Sequence, residues 1–158
     1  MRRTIAPKTL VVVLATVFVL GILPRAQADE HKDCSAASLQ GSFGFTSIGT
    51  LLALPAPSAG AFGEIGRQTF DGHGNTEGTA TAATNGVIHH FTFTGTYVVN
   101  PDCTGSMTLL VAPIGATVPL DFVIDDDGAE VRAITTGNIT GNTETREYRK
   151  QFSKGKDK

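Results

Sequence analysis

From residue 39 onward, apolar and polar side chains alternate along the chain with a period close to two. No window repeats apolar residues at i, i+3, i+4 and i+7, so the pattern predicts strands rather than amphipathic helices. The clearest run is 87–99. Its odd positions are Val87, His89, Phe91, Phe93, Gly95, Tyr97 and Val99, and its even positions include His90, Thr92, Thr94 and Thr96. One face is mostly apolar and aromatic and the other is rich in hydroxyls, as a strand with two unlike faces requires.

Turn signals bracket seven further runs, at 39–52, 61–70, 76–84, 106–112, 117–124, 129–136 and 142–152. Pro55 and Pro57 interrupt the chain after the first, because proline cannot donate to a ladder. Asp71-Gly72-His73-Gly74-Asn75, Asn100 to Gly105, Pro113 to Ala116, Asp125-Asp126-Asp127-Gly128 and 137–141 supply other turns. Asn85-Gly86 is the strongest hairpin signal, since both residues tolerate positive φ. Short strands with short connections make an antiparallel meander. Left open it would expose two edges, and closure into a barrel removes them. The expected fold is all-β, a single antiparallel eight-stranded barrel. A β-sandwich is the alternative, although Greek-key sandwiches need longer crossovers.

The N-terminal segment changes the picture of compartment. Arg2, Arg3 and Lys8 precede an apolar run at 10–23, and Ala26-Gln27-Ala28 places small residues where a signal peptidase reads. The run is shorter than the ~20 residues of a spanning helix. The expected organisation is a cleavable signal peptide at 1–28 and a barrel domain at 29–145. The last strand end and a basic C-terminal tail occupy 146–158. A secreted or periplasmic protein with no membrane span after cleavage follows.

Charge is uneven in the remainder. From 29 to 145 there are three basic and 13 acidic residues, net −10, and from 146 to 158 there are six basic and two acidic, net +4. An acidic body argues against nucleic acid as a partner. The basic end reads most simply as a solvated, frayed terminus. Cys34 and Cys103 are the only cysteines, and an oxidising compartment predicts one bridge between them.

Three segments carry a resemblance. They are Cys34 to Phe45 with its Leu39-Gln40-Gly41-Ser42-Phe43-Gly44-Phe45, the stretch Thr69 to Asn75, and the stretch Gly95 to Gly105. Together they resemble a group of secreted bacterial proteins of unassigned function. Through that group the chain is similar to the eight-stranded barrel of allene oxide cyclases and plant dirigent proteins. The resemblance implies a barrel whose bore takes an apolar or phenolic small molecule. It carries no catalytic residue over to this chain.

Catalytic motifs are absent from the sequence. There is no Gly-x-Ser-x-Gly elbow, no His-Glu-x-x-His and no phosphate-binding Gly-x-x-x-x-Gly-Lys. The candidates for a catalytic role are His89 and His90 as acid or base, with Arg67 and Arg132 as anchors. The two histidines are adjacent and face opposite sides of one strand, and imidazole titrates near neutrality. Either arginine is a candidate to hold a carboxylate or phenolate. Phe91, Phe93, Tyr97 and Asp121 are the candidate ligand-binding residues. No cofactor is expected in the barrel. Cleavage after Ala28 would, however, leave Asp29-Glu30-His31, whose amine, backbone nitrogens and imidazole suit Cu(II) or Ni(II). Asp71 with Asn75 and Glu77, and the Asp125 to Asp127 run, offer oxygens to Ca²⁺, but neither has the spacing of a calcium loop. Asn138-Ile139-Thr140 matches a glycosylation acceptor.

The leading functional reading is a small-molecule-binding barrel. The rivals are a cyclase or isomerase acting in the bore, and a structural or cell-surface module that contacts other proteins, with association into oligomers through outer faces compatible with any of these. A roomy bore holding a His and Arg pair would favour the enzyme. A roomy apolar bore would favour the binder, and a bore plugged by Phe and Leu would favour the module.

Overall fold

A computed structural model describes residues 33–52, 59–137 and 142–151. The expected signal segment, Asp29 and His31 with their copper or nickel proposal, the whole 138–140 acceptor and the end of the basic tail lie outside these residues. Eight strands follow one another: β1 (Gly41–Leu51), β2 (Gly60–Phe70), β3 (Asn75–Thr84), β4 (Val87–Val99), β5 (Thr104–Ala112), β6 (Ala116–Asp125), β7 (Glu130–Thr135) and β8 (Asn142–Lys150). Each pairs antiparallel with its neighbour, and β8 pairs back onto β1, so the barrel is closed and the sandwich alternative falls. Among the described residues, no helix is long and apolar enough to cross a membrane.

Most strand limits differ from the alternation by one or two residues. The chain before β1 does not extend from Leu39. Residues Ala36–Leu39 form a single 3₁₀ turn, and the Ser38 hydroxyl accepts the Ser35 amide at 3.1 Å. That turn drives Leu39, fully buried, into one end of the barrel. Thr104 and Gly105 join β5 rather than the preceding turn. At the β3–β4 hairpin, Asn85 and Gly86 both take positive φ, 48° and 83°, as the Asn-Gly pair requires.

The inward side chains pack as a solid interior. Phe43 and Phe45 from β1, Phe70 from β2, Phe93 and Tyr97 from β4, Leu109 from β5, Leu120 and Phe122 from β6, and Tyr148 from β8 are all buried. Phe43 meets Phe70 edge-on at 5.4 Å between centroids, and Phe70 meets Tyr97 at 5.1 Å. Glycines admit some of these rings. Gly66 lies opposite Phe45, and a Cβ there would come within 2.6 Å of that ring; at Gly105 it would come within 2.3 Å of the Phe122 ring. Each ring thus lies flat over bare backbone on the adjacent strand, a recurrent way of bending a sheet into a small barrel.

The two ends are built differently. The Leu39 end is closed by the 3₁₀ turn and by the Cys34–Cys103 disulfide. The Cys34 amide donates to the Pro101 carbonyl at 3.1 Å, and the Ile124 amide to the Cys103 carbonyl at 2.9 Å. Tyr97 is tied in twice: its hydroxyl donates to the Ala36 carbonyl and accepts the Gly72 amide, each at 3.0 Å. At the opposite end the connections are β1–β2, β3–β4, β5–β6 and β7–β8, and there the interior becomes polar.

Candidate functional site: a charged cluster inside the barrel

Period-2 alternation places more than apolar side chains inside. On β1 the inward row is Phe43, Phe45, Ser47; on β8 it is Glu144, Arg146, Tyr148. Glu64 shares the inward face of β2 with Gln68 and Phe70. Ser47 stands opposite Glu64 across the β1–β2 ladder and opposite Arg146 across β1–β8. Closure therefore sets a carboxylate, a hydroxyl and a guanidinium in one row, and Glu144 lies two residues further along β8.

The contacts are direct. Ser47 Oγ donates to Glu144 Oε1 at 2.7 Å. Arg146 Nε bonds the same Glu144 oxygen, and Arg146 Nη2 reaches Glu64 Oε2 at 3.3 Å. Asn142 Nδ2 donates to Glu144 Oε2 at 3.4 Å, and the Glu144 amide donates to Thr135 Oγ1 at 3.1 Å. The guanidinium carbon lies 5.1 Å from the centre of the Phe45 ring, within cation–π range. The side chains of Arg146, Glu144 and Glu64 are only 4%, 3% and 9% exposed, so Glu64 is the group nearest to water.

Two carboxylates share one guanidinium, which leaves the fully ionised cluster at −1. Burial raises the Glu64 carboxyl above its usual range; Arg146 pulls the other way and Glu144 adds to the rise. Burial works against the charge on Arg146, but Tyr148, Glu144 and Glu64 around it hold it protonated. Burial pushes the Tyr148 hydroxyl up to about 12, with Arg146 opposing. Three buried polar atoms make no well-formed hydrogen bond within the protein, Arg146 Nη1, Tyr148 Oη and Gln68 Oε1, although Tyr148 Oη lies against the Arg146 guanidinium. The first two are hydrogen-bond donors on neighbouring inward residues of β8.

The residues singled out from sequence distribute around this cluster rather than in it. Phe93 and Tyr97 are buried in the aromatic interior. Phe91 is half-buried beside His89, ring centres 5.9 Å apart, near the end of β4 where the strand runs past the packed interior. His89 and His90 are exposed, and His90 Nδ1 lies 3.1 Å from the Thr81 hydroxyl. Arg67 is exposed on β2. Arg132 is exposed and holds Asp125 through Nε and Nη2 at 2.9 and 2.6 Å. Asp121 and Arg132 do come together, but on the outer wall, in a shallow depression of about 660 Å³ with Val98, Val123 and Ile134. The Asp71 carboxylate is used by its own turn: it accepts the His73 and Asn75 amides and the Asn75 side chain, which lowers it to about 2. Among the described residues no group of three His, Cys, Asp or Glu is placed to hold a metal. The expected bridge is present between Cys34 and Cys103.

Arg146 was grouped with the basic tail by charge counting, yet it is among the most buried charges in the barrel. The signal that identifies it is Tyr148. A lone aromatic on an otherwise polar strand fixes the inward face, and Arg146 and Glu144 lie two and four residues before it.

No protein-family model and no curated protein matches the chain. Among solved structures, a redesigned β-barrel is similar at a TM-score of 0.54 and 14% identity, over 74% of this chain and 95% of that one. The likeness shows the barrel fold and carries nothing about the chemistry inside it.

Proposed function

We propose that this barrel binds an apolar small molecule bearing a hydroxyl group, of which a phenol is the simplest form, at the polar end of its bore, outside the cytoplasm. The observation that carries the reading is the pair of donors without well-formed hydrogen bonds, Arg146 Nη1 and Tyr148 Oη, in a buried cluster. Burying a donor without a partner costs about 1–3 kcal/mol. Buried ion pairs can often be replaced by packed apolar residues without loss of stability. A barrel that only had to pack would gain nothing from this cluster, and perturbed, desolvated charges concentrate where proteins bind or react. Phe45 offers an aromatic wall beside Arg146, and Glu64 marks the approach from solvent. The disulfide and the signal-like N-terminus support export.

The aromatic plug favours a second reading, a module that contacts proteins through its outer wall, where Val98, Val123 and Ile134 are exposed around Asp121 and Arg132. Native mass spectrometry of the protein from its own host separates the two. A retained organic mass that disappears in Tyr148→Phe supports the binder. A bare mass, together with no saturable binding of millimolar phenols, overturns it in favour of the module.

A further inference from the structure

We infer that the site selects weak organic acids, phenols or enols, in their uncharged form, with the acidic proton of the ligand shared with Glu64. The inference rests on the binding reading above and specifies the state of the ligand. The cluster is already at −1 when ionised, and its single guanidinium is engaged at Nε by Glu144 and at Nη2 by Glu64. A second anion placed at Arg146 Nη1 would bring a third negative charge against one positive charge in a desolvated space. A neutral hydroxyl meets no such penalty. Its oxygen accepts from Arg146 Nη1 and Tyr148 Oη, and its hydrogen is free to be donated to the Glu64 carboxylate.

The surroundings of Glu64 supply no further positive charge. From β8 it faces Arg146, Glu144 and Tyr148. Across the ladders its register partners are Ser47 on β1 and Ala82 on β3, neither of which is charged. Burial raises the proton affinity of the Glu64 carboxylate, so it accepts readily from a ligand hydroxyl.

The probe is 4-nitrophenol, which ionises near neutrality and is yellow only as the phenolate. Titrated with the mature protein close to its own midpoint, the probe should lose yellow absorbance saturably. The ionisation midpoint of the bound probe should rise by about one pH unit or more, a tenfold preference for the neutral form. Glu64→Gln brings the cluster to zero charge and should abolish most of that rise. 4-Nitroanisole, which has no proton to share, should bind at least about tenfold more weakly, one hydrogen bond to a charged group being lost. Saturable binding that keeps or deepens the yellow colour would overturn the inference and leave the binding reading standing, as would an unchanged midpoint in Glu64→Gln. Absence of any saturable colour change or heat with the wild-type protein would overturn both.

Discussion

Two tyrosines point into the same barrel and meet opposite fates. Tyr97, at the closed end, has its hydroxyl bonded to the Ala36 carbonyl and the Gly72 amide. Tyr148 is more deeply buried, and its hydroxyl faces Arg146 without a well-formed hydrogen bond. The surroundings follow the same division. Around Tyr97 lie Leu39, Phe70 and the disulfide-bridged turn, an apolar and covalently tied closure. Around Tyr148 lie Arg146, Glu144 and Glu64, with one more negative charge than positive. One end of the bore is closed by hydrogen bonds and a disulfide of its own chain, and the other holds buried donors without well-formed bonds. That difference, more than the barrel itself, is the basis of the binding function proposed above.

The comparison can be broken most severely at Arg146. Arg146→Met should leave Glu64 and Glu144 buried without a cation and destabilise the protein by about 3–5 kcal/mol. Adding Glu64→Gln to that variant should return part of the loss in urea unfolding, whereas a surface-like cluster would show little change in either. At the other end, Cys34→Ser with Cys103→Ser opens a loop spanning 69 residues. The loss expected from chain entropy is about 4 kcal/mol. It should be accompanied by early exchange of amides around Leu39 and Tyr97, with those of β8 protected longer.

A pH experiment sharpens the division further. The folded-state pKa of Glu64 is raised above 4.5, so between these values the native protein holds a proton that the unfolded chain has released. The contribution of Glu64 to stability is therefore most favourable below 4.5 and declines as pH rises through the folded value. The difference in stability between wild type and Glu64→Gln should move in favour of Glu64→Gln over that interval and level off above it. A flat difference across the interval would show that Glu64 is solvated.

The smallest effects carry the most direct contrast. Tyr97→Phe removes two hydrogen bonds and leaves the Gly72 amide without its acceptor, a loss of about 1–3 kcal/mol. Tyr148→Phe removes a buried hydroxyl that makes no well-formed hydrogen bond, so the unliganded protein should unfold at the same denaturant concentration or a slightly higher one. If both substitutions destabilise equally, the two ends do not differ as described.

Much of this was legible along the chain. The Asn85-Gly86 hairpin and the alternation of 87–99 correspond to a turn and a strand with the expected limits. Both rest on local rules of backbone geometry. The pairing of Cys34 with Cys103 was legible because only two cysteines were present. The histidines drew attention by residue type, yet His89 and His90 lie on a stretch of β4 where both faces are exposed. Alternation tells which side a residue faces and not how far along the strand the packed interior extends. Arg146 misled for the same kind of reason: a count of charges along 146–158 averaged an inward residue with its solvated neighbours.

By itself, the sequence determined the number of strands, their limits to within two residues, most of the turns and the covalent link. Each of these depends on dihedral preferences and side-chain alternation within a few residues, or on there being a single pair of thiols. The tertiary structure decided which charges meet. Glu64 and Arg146 are 82 residues apart in the chain, and they share a row only because β8 closes onto β1. Their pairing, their burial and the donors left open beside them are consequences of that closure, since the field at a charge is set by whatever surrounds it in space.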